Sequence, residues 1–204
     1  MDELLIIQRI AHDLKNQVLL MKMMVSQKDK MRADDDELKS IIANISQMSI
    51  TLSQFSHIKT LYREDCNLIK IIEQTISQYI NHPLFDHIEF NHDVSDSKIK
   101  IDKTLFQIGL RNLINNALQN IDENGYIIVQ LSDSKNKFYL EISNPGDIQE
   151  RDIPKIYEIG YSTREEGSGI GIPISKMIVE RHNGTFDITC KNNEVKVSII
   201  LPKN

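Results

Sequence analysis

Three things are scarce in this 204-residue chain, and each scarcity argues against a class of function. There are only two cysteines, Cys66 and Cys190, far apart and without metal-ligand spacing. They exclude a disulfide framework and read as free thiols of a reducing compartment. Basic charge is not in excess: 24 Lys and Arg against 29 Asp and Glu leave a net charge of −5. That argues against nucleic acid as the main partner, because binding its phosphates needs a basic surface. Long apolar runs are missing too. The longest, Val18–Val25, is interrupted by Lys22, so neither a membrane span nor a signal peptide is expected and this segment makes no membrane contact of its own. The apolar fraction of 40% is ordinary and allows a sizeable core in one or two domains.

What is present falls into two parts. Leu4, Ile7, Ala11, Leu14, Val18, Met21 and Val25 are spaced alternately three and four apart, and so are Leu38, Ile41, Ile45, Met48, Leu52 and Phe55. Such spacing is a heptad seam, and neither stretch contains Pro or Gly. Between them Lys28–Asp36 is charged, and Asp34, Asp35 and Asp36 offer an N-cap and first-turn negative charge. The pattern predicts an antiparallel helical hairpin over residues 1–63, each helix about 25 residues and about 37 Å long. Two helices bury so long a seam poorly. A homodimer whose four helices form one bundle satisfies both faces; packing of the hairpin on the second domain is the alternative. His12 lies one residue past the seam position Ala11, at the edge of the apolar stripe, with Asp13 beside it. A lone surface His carries little weight. A His beside a carboxylate has the parts of an activated nucleophile, one ring nitrogen held as N–H and the other free.

After a break at Arg63–Asn67 the periodicity changes. Residues 67–204 read as a second domain with helices over Leu68–Tyr79, Leu105–Ile121 and Ile174–His182. Strands are expected at Ile88–His92, Lys98–Ile101, Tyr126–Leu131, Lys137–Ser143, Thr185–Cys190 and Val195–Leu201. Strands with one apolar face and three helices to cover it give an α+β, two-layer α/β sandwich.

Three features of that domain carry chemistry. In the long helix Asn112, Asn116 and Asn120 recur at i, i+4 and i+8 and share a face. Asn is a poor helix residue, so a ladder of neutral amides suits a triphosphate and its Mg²⁺ better than it suits an ordinary polar face. The second strand of the alternating pair runs into Asn144-Pro145-Gly146, a turn by composition that sets one polar side chain at the mouth of an apolar sheet. Third, three of the eight glycines fall within Gly167-Ser168-Gly169-Ile170-Gly171, just before a helix. Backbone N–H groups without Cβ atoms and a positive helix end form a phosphate cradle; a flexible loop is the other reading. The polar segment Gln149–Glu166, partly helical at Ile153–Tyr157, leads into it as a lid, with the glycines as its hinge.

In this order the pieces resemble the catalytic core of two-component sensor histidine kinases, whose nucleotide domain is shared with Hsp90, MutL and type II topoisomerases. Ile10-Ala11-His12-Asp13-Leu14-Lys15-Asn16 resembles the phosphoacceptor box, and Asn112-Leu113-Ile114-Asn115-Asn116-Ala117 the N box. Asn144-Pro145-Gly146 stands where the family has an Asp-x-Gly adenine motif, and Gly167–Ile172 resembles the second glycine box. The resemblance implies that His12 accepts the γ-phosphoryl group of ATP while Asp13 orients its ring. It implies that Asn16 orients water for phosphatase action on a regulator. It also implies that Asn116 ligands Mg²⁺, that Asn112 and Asn120 lie near the phosphates, and that Asn144 and Gly146 meet adenine. Gly167, Ser168, Gly169 and Gly171 then hold phosphate. The fold it implies is a hairpin followed by a histidine kinase/Hsp90-like ATP-binding domain, with a response regulator receiver domain as partner. Asn144 for Asp, and Gln119-Asn120 where a Lys-aromatic pair is common, keep open the alternative of a phosphotransfer or scaffold protein with a degenerate nucleotide site, against which the glycine box, Asn116 and His12 argue. The chain reads as cytoplasmic, with any sensor either on a longer or membrane-associated form or on another chain.

Overall fold

Alternation of apolar and polar residues builds a five-stranded sheet on which the rest of the described structure sits. In the computed structural model of this protein the described residues are 61–164 and 169–203. Almost all of the expected hairpin, with His12, Asp13 and Asn16, therefore lies outside the described residues, and so do Gly167 and Ser168. The described part belongs to one unit, Leu61–Asn204.

The sheet has the order β2 (Ile88–His92), β4 (Ile127–Ser134), β5 (Lys137–Pro145), β7 (Glu194–Pro202), β6 (Thr185–Lys191). β2 and β4 are parallel; the other neighbours are antiparallel. The register aligns Val129, Ile142, Val197 and Ile188 in one row and Leu131, Leu140, Ile199 and Phe186 in the next, all buried. The opposite face carries Gln130, Glu141, Ser198 and Asp187, partly or fully exposed. Period-two patterning therefore sets which face is wet.

Helices α1 (Leu68–Ile76), α2 (Lys103–Leu118) and α4 (Gly171–Arg181) cover the apolar face; a short α3 (Ile153–Ile156) lies between α2 and α4 in the chain. This is the α+β two-layer sandwich expected for the second domain. Phe106, Leu110, Leu113 and Ile114 of α2 lie in one core with Leu131, Leu140 and Ile199 of the sheet. Each such side chain, fully buried, contributes about 1.5–3 kcal/mol of transfer free energy.

Several boundaries differ from the sequence reading, four of them informative. Glu64–Asn67, expected as a break, is strand β1, paired antiparallel with β3 (Lys98–Ile101) so that Cys66 faces Ile99. Strand pairing overrides a composition that looks like linker. α2 starts at Lys103, two residues early, because Asp102 caps it: its Oδ1 accepts from the Leu105 N–H at 3.0 Å. It stops at Leu118, before the expected Ile121. α4 starts at Gly171, three residues early, since Pro173 in the first turn has no N–H that the helix needs there. At its other end Asn183, with φ of 60°, takes the left-handed position, while Gly184 is fixed by packing: a Cβ there would stand 2.6 Å from the Ile200 carbonyl oxygen.

His182, 3% exposed, ends α4 and ties it to the start of α2. Its Nε2 accepts the Asp102 N–H at 2.9 Å, so Nδ1 carries the proton and donates to the Ile178 carbonyl at 2.7 Å. Burial pushes its pKa down, against the pull of the Ile178 carbonyl. The Asp102 carboxylate also accepts the Tyr62 N–H at 3.0 Å.

Candidate functional site

The amide ladder on α2 does three different jobs. Asn112 is half-buried and lies against the start of α4: a Cβ on Gly171 would meet Asn112 Cβ at 3.7 Å, ordinary contact. Asn116, half-buried, presents its Oδ1 to a cation, accepting from Arg164 Nη2 at 2.8 Å. Asn120 lies beyond the helix, exposed. Its Nδ2 donates to the Asn116 carbonyl at 2.7 Å and so closes the last turn of α2. The expected i, i+8 member is therefore a helix cap, with Oδ1 turned away from the bond that closes the helix. Asn115 faces elsewhere and accepts from the Tyr79 hydroxyl at 2.8 Å, a phenol whose pKa burial raises to about 12.

The glycine stretch meets this face at α4. Among the described residues no side chain caps the helix, and Pro173 carries no N–H, so the Gly171 and Ile172 N–H groups make up the polar end of the first turn. Ser175 anchors the helix to α2: its hydroxyl lies 2.9 Å from the Gly171 carbonyl and 3.0 Å from the Gly109 carbonyl. Gly169 has a φ of 61°, and a Cβ there would stand 2.5 Å from the Gly160 carbonyl carbon. It must be glycine for both reasons. The Gly160 N–H donates to the Gly169 carbonyl at 3.0 Å, which joins the two ends of the intervening loop.

The stretch expected as a continuous lid is docked over its first half. A 3₁₀ turn, Glu150–Asp152, runs into α3. Tyr157 then fastens it: its hydroxyl accepts the Ile188 N–H at 2.9 Å, its ring meets Phe186 edge-on, and Lys176 Nζ lies 4.5 Å from its centroid. Arg164 follows. The Ser162 hydroxyl braces it, accepting the Arg164 N–H at 3.0 Å and donating to the Arg164 carbonyl at 2.9 Å. Its guanidinium reaches α2 and donates to both Asn116 Oδ1 and Gln119 Oε1. Burial lowers the Arg164 pKa.

At the other end of the site the strand does not turn at Asn144; β5 continues through Pro145. Asn144 is 6% exposed, and its Nδ2 donates to the Pro145 carbonyl at 2.8 Å. That fixes Oδ1 as the free acceptor. The Gly146 N–H donates to the Asn193 carbonyl at 3.0 Å, and the Ile148 N–H to Cys190 Sγ at 3.2 Å. The structure thus brings Asn112 to Gly171 and Asn116 to Arg164. Asn144 and Gly146 are held by neighbouring strand ends instead.

Sequence reasoning missed Arg164, Tyr157 and Cys190. Arg164 is the only Lys or Arg between Lys155 and Lys176, a visible signal that its neighbours Glu165 and Glu166 obscure. Cys190 has no such signal, since its role depends on the β6–β7 register.

The residues present fit a Mg²⁺–nucleotide. Asn116 Oδ1 is a hard oxygen already turned to a cation, and an uncapped helix N-terminus stands beside Asn112. Among the described residues no cluster of three His, Cys, Asp or Glu could hold a metal. Among the same residues no helix is long and apolar enough to cross a membrane.

Comparisons with known proteins identify the family and the fold. Residues 101–204, half of the chain, match the family described as histidine kinase-, DNA gyrase B-, and HSP90-like ATPase. The heme sensor protein HssS of Staphylococcus aureus (strain MSSA476) is 26% identical over 97% of this chain and 46% of its own length. The chain thus spans about half the length of such relatives. The catalytic domain of histidine kinase ThkA is 27% identical, covering 70% of this chain and 96% of that one, with a TM-score of 0.64. ThkA in complex with response regulator protein TrrA shares the fold over 97% of this chain and 60% of its own, at 24% identity and a TM-score of 0.69.

Proposed function

The chain belongs to the histidine kinase-, DNA gyrase B- and HSP90-like ATPase family and is built as the catalytic core of a sensor histidine kinase, and from that premise we propose that it phosphorylates its own His12 from ATP and passes the phosphoryl group to an aspartate of a response regulator. The observation that carries the reading is the meeting of the uncapped α4 N-terminus with the amide face of α2, where Gly171 stands against Asn112 and Asn116 Oδ1 accepts a cation.

Each residue's part follows from its chemistry. Asn116 offers Oδ1 to Mg²⁺, and Asn112 and the Oδ1 of Asn120 lie along the phosphates. The N–H groups of Gly167, Ser168, Gly169 and Gly171 cradle phosphate oxygens. Asn144 accepts from the adenine amine through Oδ1, next to Gly146. When bound, Mg²⁺ supplies neutralisation of the charge on the phosphates. Asp13 holds one ring nitrogen of His12 as N–H and helps take its proton, while the other nitrogen attacks the γ-phosphorus in line and ADP leaves. Asn16 orients water for hydrolysis of the regulator's phosphate. The domain division, 1–63 for phosphotransfer and dimerisation and 67–204 for catalysis, serves this delivery. A homodimer joined through the hairpins and a cytoplasmic location complete the reading, and the ThkA–TrrA complex supports a receiver domain as the partner.

The test is incubation of the full chain with labelled ATP and Mg²⁺. Acid-labile, base-stable label on the protein is expected, and none on His12→Gln. Label surviving that substitution removes His12 as acceptor. No label together with no measurable nucleotide binding favours a scaffold.

A further inference from the structure

The oxygen proposed as the metal ligand is already engaged. Asn116 Oδ1 accepts from Arg164 Nη2 at 2.8 Å, and the same guanidinium donates to Gln119 Oε1 one turn along α2. Building on the reading of Asn116 as the Mg²⁺ ligand, we propose that Arg164 competes with the metal for Asn116 Oδ1, so that binding of the Mg²⁺–nucleotide requires release of this arginine from α2.

Mg²⁺ sits about 2.1 Å from its oxygen ligands. A dication on Oδ1 would stand no more than about 5 Å from a guanidinium nitrogen bonded to the same atom, like charges in a half-buried place. Both acceptors of Arg164 on α2 are neutral amides. They satisfy donors without neutralising the cation, and burial already disfavours its charge. The residue is placed for the exchange, because the Ser162 hydroxyl braces its backbone from both sides and the Gly160–Gly169 bond closes the base of the loop that carries it. Gln119, where the family has a basic residue, thereby acquires a use as the second seat of the arginine.

Calorimetric titration of the full chain with ADP, once with Mg²⁺ and once with EDTA, tests this on wild type and Arg164→Ala. The ratio of the two Kd values isolates the metal, because loss of a phosphate contact would weaken binding in both buffers alike. The ratio is expected to grow about fivefold or more in the variant, the worth of roughly one net hydrogen bond. Arginine side-chain NMR of wild type without nucleotide should show a slowly exchanging guanidinium signal that is lost in Asn116→Ala and on addition of Mg²⁺–ADP. A clear metal effect in wild type that is unchanged or smaller in Arg164→Ala overturns the competition and leaves Asn116 as ligand. No metal effect in either protein removes Asn116 as ligand, and the competition with it, even where the NMR signal shows the bond intact.

Discussion

The two ends of the candidate site are held in opposite ways. At the end of β5 every bond is made within the sheet's own edge: Asn144 to the next residue's carbonyl, Gly146 to Asn193, and Ile148 to Cys190. Asn144 and Cys190 sit on strands whose register fixes them before any ligand arrives, and Gly146, Ile148 and Asn193 lie just beyond strand ends. On α2 the key oxygen is held by one long side chain, Arg164, 48 residues further along the chain. A hydrogen bond with a charged donor is worth about 1.5–3 kcal/mol net and can be exchanged for another. On the proposed reading the base end is therefore preformed, and the phosphate end is where Arg164 gives way to the metal. Preformed groups orient a substrate, whereas exchangeable ones make its binding conditional.

The largest expected effect breaks the phosphate end alone. Asn116→Ala removes the metal's protein oxygen, and a half-exposed helix position tolerates Ala without loss of fold. Even partners in a metal's outer shell cost up to about 100-fold in affinity. Mg²⁺-dependent ADP affinity should thus fall by about 100-fold while the EDTA value hardly moves. Calorimetry in both buffers measures this, and equal losses in the two would place Asn116 on the nucleotide rather than on the metal. Next comes Asn144→Asp at the base end. The acid matches the family's motif, yet here it would turn a carboxylate oxygen toward the Pro145 carbonyl that Nδ2 now donates to. Leaving buried acceptors face to face costs about 1–3 kcal/mol. Urea denaturation should show that loss, with no compensating gain in ATP affinity; a more stable or tighter-binding variant would mean that the strand end is less fixed than its bonds imply.

The same contrast decides what the sequence could tell. Groups set by period and spacing were legible: the alternating strands, the helix bearing Asn112 and Asn116, and the glycines before α4. Each follows from a local rule of two or 3.6 residues. Asn120 misled because its spacing continues the ladder while its side chain ends the helix. A cap and a helical position share one periodicity, and only the hydrogen bond tells them apart. The cap at Asp102 is local, Oδ1 to the Leu105 N–H, but nothing local shows that His182 accepts the Asp102 N–H from 80 residues away. Arg164, Tyr157 and Cys190 act on elements distant in sequence, and no local rule pairs them. The strand at Glu64–Asn67 belongs with them, because short polar segments become strands only where a partner edge exists.

The smallest predicted effect asks how far the base end depends on that long-range register. Cys190 Sγ accepts the Ile148 N–H, and its thiol lies 3.6 Å from the Gly146 carbonyl, so one sulfur spans the loop that follows Asn144. Sulfur is a weak acceptor, and Ile148 is only partly buried against the core. Cys190→Ala removes the acceptor but keeps the β6–β7 pairing of position 190 with Val195, which is made by backbone. The cost should be about 1 kcal/mol or less in urea denaturation, the size of one weak hydrogen bond. Hydrogen exchange should place the change at the Ile148 amide, which exchanges faster while the Gly146 amide, bonded to Asn193, keeps its protection. Faster exchange at both amides would mean that the sulfur, rather than the strand register, holds the base end in shape.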